Sequence, residues 1–157
     1  MKLLLHNGPG VISRLIKWQT AGACNHASIL FADGTVFESR EFKGVVRTHL
    51  AELRAACIRE PRLRIDIFRT AYGLCEEKAR WFCEAELGCP YDYLGVSRFL
   101  TRHRGRSNRA WFCSEFAFAA FRNAGLDLLA RTESWEVSPA LLHRSPLLRH
   151  EGSLTDR

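Results

Sequence analysis

The apolar positions of the chain follow two periods, one near 3.6 residues and one near two, and the changes between them mark its elements. Val11, Ile12, Leu15, Ile16 and Trp18 keep helical spacing behind Pro9, which a first turn tolerates, so Pro9 to Thr20 reads as a short amphipathic helix ending near Gly22. His26 to Phe31 and Thr35 to Ser39 are β-branched and aromatic runs on either side of Ala32-Asp33-Gly34, the signature of a β-hairpin, and Gly44 to His49 continues as a third strand. Leu63 to Phe68 alternates as a half-buried strand does, entered at Pro61. From Ala71 to Leu87 the residues Leu74, Ala79, Phe82, Cys83 and Leu87 trace one helical stripe, with Gly88 as its stop. Tyr93 to Thr101 reads as another short helix. Ser114 to Asn123 is apolar all round, which predicts a centrally buried helix, closed by Gly125. Ser138 caps a turn with Pro139 in its first position, and Leu147 to His150 offers a last strand.

Composition narrows the class. With 157 residues, 46% of them hydrophobic, the chain can close one core, so a single domain over residues 1–157 is expected. No stretch reaches the roughly 18 consecutive apolar residues of a membrane span, and Leu3-Leu4-Leu5 is too short for a secretory signal, so a soluble, cytoplasmic protein is expected. The six cysteines are read as free thiols. Part of the net charge of +6 comes from Arg102, Arg104, Arg106 and Arg109, read as a solvated loop that offers contact to an anionic surface. It lacks interleaved aromatics for base stacking, so no stable nucleic-acid partner is expected.

Candidate chemistry centres on Cys113, which stands where coil enters the apolar helix. The N–H groups and the positive dipole end of a helix point at such a residue and favour its thiolate, the form a cysteine nucleophile needs. If Ala32-Asp33-Gly34 is a three-residue loop with Gly34 left-handed, Phe31 faces Thr35, Ser28 faces Glu38 and His26 faces Arg40. Glu38 is then diagonal to His26 on one face of the sheet, about 7 Å away or less between side-chain roots, and can orient the imidazole. A two-residue loop would put them on opposite faces. His26 is the expected base, Glu38 its orienter and His49 a reserve base at the end of its strand. His6, His103, His143 and His150 fall in segments read as termini, loop or surface. Cys24 lacks the paired spacing of a zinc site, and Cys75, Cys83 and Cys89 read as packing residues. Tyr91 is a candidate for lining the cleft. Neither a metal nor an organic cofactor is expected.

Asn25-His26-Ala27-Ser28-Ile29, Val36-Phe37-Glu38-Ser39, Pro90-Tyr91-Asp92, Phe112-Cys113-Ser114-Glu115 and Ser138-Pro139-Ala140-Leu141, in that order, resemble the permuted NlpC/P60-type papain-like enzymes of the YiiX/YaeF group. In ordinary papain-like enzymes the cysteine helix comes first, whereas here the histidine and acid precede it. The resemblance implies an α+β, circularly permuted papain-like fold, with an antiparallel sheet packed against a central cysteine-bearing helix. It implies a cysteine amidase or peptidase with a Cys113, His26 and Glu38 triad, acting on a peptide or acyl-amide through a thioester acyl-enzyme. The same arrangement occurs in lecithin:retinol acyltransferase-like enzymes, so a lipid acyltransferase or phospholipase is the alternative, and a non-catalytic binding domain on the same fold is the third. Unlike exported wall hydrolases, the protein is expected to have neither a signal nor a wall-binding module, which argues against a peptidoglycan substrate.

Overall fold

The computed structural model describes residues 1–9, 24–93 and 110–155. The helix expected from Pro9 to Thr20, the one from Tyr93 to Thr101 and the arginine-rich loop lie outside them, apart from Pro9 and Tyr93 themselves. The described elements are β1 (Lys2–Asn7), β2 (His26–Leu30), β3 (Thr35–Arg40), β4 (Gly44–His49), α1 (Leu50–Arg59), β5 (Arg64–Thr70), α2 (Glu76–Ala85), α3 (Cys113–Asn123), a 3₁₀ turn (Ser134–Glu136), α4 (Pro139–His143) and β6 (Leu148–Ser153). The strands form one sheet in the order β4-β3-β2-β1-β5-β6, and every neighbouring pair is antiparallel.

Two apolar layers cover the sheet. On one face Leu3, Leu5, Ala27, Ile29, Phe37 and Phe68 pack with Ala79 and Cys83 of α2 and with α3, whose residues from Cys113 to Phe121 are all buried. On the other, Leu4, Leu30, Val36 and Ile65 pack under Leu53 and Cys57 of α1. Successive residues of a strand point to opposite faces, so Leu3-Leu4-Leu5 serves both cores at once. That is why β1 shows no alternation, although it lies inside the sheet between β2 and β5.

The hairpin between β2 and β3 has the three-residue loop. Phe31 N–H donates to Thr35 O, Gly34 has a φ of 84°, and Ile29 faces Phe37 with Leu30 facing Val36. The ladder between these strands is confined to those two pairs beside the turn. By contrast, β1–β2 pairing runs out to His6 and His26, and β3–β4 pairing runs out to Arg40 and Gly44. β2 and β3 therefore separate toward their His26 and Arg40 ends. At Gly44, with a φ of 70°, an added Cβ would lie 2.1 Å from Cys89 O. This close approach lets residues 88 and 89 pair with Val45 along the outer edge of β4.

Candidate active site

α3 begins at Cys113, with Phe112 in the cap position and no side-chain hydrogen bond capping the helix. Most helix starts use Ser, Thr, Asp or Asn there, and an apolar residue leaves the first-turn donors without that partner. The coil leading in is fixed by its backbone. Trp111 N–H donates to Pro90 O, Asp92 N–H to Trp111 O, and the buried Ser39 hydroxyl donates to Trp111 O at 2.7 Å. Ser114 Oγ donates to Val137 O at 2.6 Å and ties the first turn to the segment before α4. Cys113 is fully buried.

The register places His26, Glu38, Ser28 and His6 on the α1 face of the sheet. His26 Nε2 lies 2.7 Å from Glu38 Oε2, and the Glu38 carboxylate is almost wholly buried, with Thr48 Oγ1 at 3.5 Å and Arg40 at 3.9 Å from its other oxygen. The Cys113 sulfur is near enough to the His26 ring to act on its charge. Nε2 is engaged by Glu38, which leaves Nδ1 for the sulfur. α3 itself packs on the opposite face of the sheet, with Cys113 at its first position.

Desolvation by burial opposes charge on the His26 ring, but the Cys113 sulfur and then Glu38 outweigh it and push the pKa up to about 10. Burial likewise works against the Glu38 carboxylate, but the hydrogen bond and charge of His26 prevail and hold its pKa down to about 2. At neutral pH the pair is imidazolium and carboxylate. His6 differs. Its ring meets the His26 ring edge-on with centroids 4.8 Å apart, and its Nε2 is 2.8 Å from Ser28 Oγ. Burial, and then the charge on His26, push its pKa down to about 3, so it stays neutral.

A cleft of about 500 Å³ opens on the α1 side. His6, His26 and Glu38 line it on one side, and Leu53, Ile65 and Phe42 give it apolar wall. Neither Cys113 nor Tyr91 is among the described residues that line it. Tyr91 is instead buried, bridged to Trp111, with its ring against Phe112 at 5.8 Å, and burial followed by the charge of Cys113 raises its pKa. His49 lies at the opposite end of the sheet, facing Thr35 beside the Gly34 turn, where it caps α1. It is therefore no reserve for His26.

His6 is the site residue that sequence reasoning placed wrongly, as part of a terminus. The signal that could have found it is the pairing of Leu3-Leu4-Leu5 with the hairpin, which carries His6 alongside His26. Cys75, read as a packing residue, is exposed ahead of α2, whereas Cys83 is buried as expected and burial pushes its thiol up to about 12. His143 lies against Phe68, and His150 bonds Asp66 on β5. Among the described residues no group of three or more His, Cys, Asp or Glu side chains is placed to hold a metal ion, and no helix is long and apolar enough to cross a membrane.

No protein-family model matches the chain, and no curated protein does. Among solved structures, the crystal structure of metalloprotein yiiX from Escherichia coli O157:H7 is similar over 96% of this chain and 94% of that one, with a TM-score of 0.70 and 17% sequence identity. The chain has a yiiX-like fold, built on a six-stranded antiparallel sheet with helices on both faces.

Proposed function

We propose that the protein is a cysteine-dependent hydrolase that cleaves a peptide or acyl-amide bond through a thioester, on a circularly permuted papain-like fold. The observation that carries this reading is the His26–Glu38 pair of β2 and β3 with Cys113, at the start of α3 and 75 or more positions later in the chain, acting on the same imidazole. The order in the chain, histidine and acid before cysteine, is the permuted one.

In this reading Cys113 Sγ, held against the His26 imidazolium, attacks the carbonyl carbon. The oxyanion accepts from the Cys113 N–H at the start of α3. The tetrahedral intermediate collapses to the thioester as His26 gives its proton to the departing amine. Water then attacks with neutral His26 taking its proton, the carboxylic acid leaves, and Sγ is regenerated. Glu38 holds the ring through Nε2 and stabilises its charge, as the third member of such a triad does. Tyr91 acts by packing against Phe112 beside Cys113. The similar yiiX structure is described as a metalloprotein, but no step here is assigned to a metal.

Intact-mass analysis of the wild type with a panel of peptides, acyl amides and phospholipids tests the reading. A mass increase equal to an acyl group is expected on the wild type and absent from Cys113→Ala, whose turnover falls by about 10³-fold or more. Amide turnover by Cys113→Ala at the wild-type rate would overturn it. An adduct passed to an alcohol or amine instead of water would make the enzyme an acyltransferase.

A further inference from the structure

Between β3 and β4 the chain turns through Arg40-Glu41-Phe42-Lys43, closed by the Lys43 N–H donating to Arg40 O at 3.2 Å. The third residue of this turn, Phe42, has a φ of 63°. A positive φ at that position is normally given to glycine or asparagine, since a side chain there crowds its own backbone. In the neighbouring hairpin the positive φ falls on a glycine, Gly34. Phe42 gains little packing in return, for it is 87% exposed. Strain retained by a bulky residue calls for a role for its side chain.

Its surroundings supply one. Phe42 lines the same cleft as His26 and Glu38, which also takes apolar wall from Leu53, Leu63 and Ile65. The Phe42 N–H donates to Tyr93 Oη, and the two rings lie 5.9 Å apart. Tyr93 meets Tyr91 at 5.0 Å and Tyr91 meets Phe112 at 5.8 Å. Ring contacts thus run from Phe42, in the cleft lining, to Phe112, the residue that precedes Cys113.

Resting on the cysteine-hydrolase reading, we infer that Phe42 forms a specificity subsite and that the substrate carries a bulky apolar group, aromatic or branched, close to the bond that is cleaved. Such a group lies between the Phe42 ring and the apolar wall, while the amide faces the imidazolium. The group belongs either to the acyl part or to the departing amine, and the two are separable by experiment.

The test is equilibrium binding by NMR titration to the Cys113→Ala chain, which leaves the probes intact. N-phenylacetylglycinamide carries the ring on the acyl side, N-acetylglycine benzylamide carries it on the amine side, and N-acetylglycinamide carries none. One of the aromatic probes is expected to bind about tenfold tighter than N-acetylglycinamide or better. Adding Phe42→Gly, which relieves the turn, erases that ratio, and adding Phe42→Ala does the same. Equal binding of all three probes, saturation by none of them, or a preference that survives both substitutions overturns the inference. Failure of the hydrolase reading looks different: the favoured probe binds with its Phe42 dependence intact, and the wild type leaves it uncleaved.

Discussion

Replacing Glu38 by Gln keeps the size of the side chain and removes the charge that faces His26 Nε2 at 2.7 Å. The carboxylate is one of the forces that keep the ring protonated against the cost of burial, so the His26 pKa falls in Glu38→Gln from about 10 toward its ordinary 6.5. Titration of the His26 ring by NMR in both proteins measures it, and an unmoved midpoint would show that the sulfur alone sets it. The rate of thioester formation falls with it, by about 10²-fold. The pairing of these two side chains was legible in the sequence up to one alternative, because a hairpin converts loop length into register: the three-residue loop puts them on one face, and a two-residue loop would have parted them. His6 was not legible by the same means. Its place depends on a pairing between β1 and β2 separated by 18 residues, which local turn chemistry does not encode.

α1 shows what the hydrophobic pattern conceals. It buries only Leu53 and Cys57, and its other apolar residues do not extend that stripe, Ile58 being exposed, so its apolar face is too narrow to stand out. Its start is instead specified by a reciprocal cap. His49 Nδ1 accepts from the Ala51 N–H at 3.2 Å, and Glu52 Oε1 accepts from the His49 N–H at 3.1 Å. A histidine in the cap position lies outside the usual Ser, Thr, Asp and Asn signature, which is why the residue looked available for chemistry. His49→Ala is expected to cost about 1 kcal/mol, lowering the melting temperature by about 2–4 °C, with acylation of Cys113 unchanged. Loss of acylation in a folded His49→Ala protein would reassign the base. β1 hides for the opposite reason, since a strand buried on both faces carries no period-two signal. α3 and α4 stood out because one is apolar all round and the other has Ser138 accepting from Leu141 N–H with Pro139 behind it.

Over the whole molecule, the pairing of β1 with β2 brings together two histidines whose proton affinities move in opposite directions, and this shapes stability against pH. Unfolded, both take up protons near 6.5. Folded, His26 keeps its proton until about 10, whereas His6 refuses one until about 3. As pH rises above 6.5 the unfolded chain loses a proton at His26 that the folded chain retains, so the contribution of His26 declines and is gone by about pH 10. As pH falls below 6.5 the unfolded chain gains a proton at His6 that the folded chain rejects, so stability declines on that side too. Glu38 steepens the acid limb, because unfolded it protonates near 4.5 and folded only near 2. The free energy of unfolding from denaturant titrations between pH 4 and pH 9 is therefore expected to peak near pH 6.5. His6→Phe, which removes the group that titrates only in the unfolded chain between pH 6.5 and 4.5, flattens the acid limb over that interval and leaves the alkaline limb in place. A wild-type profile that is flat from pH 6.5 to 9 would mean that His26 does not keep its proton in the folded protein. The ion pair with Glu38 and the delivery of a proton to a departing amine would then fail together, because both require the imidazolium.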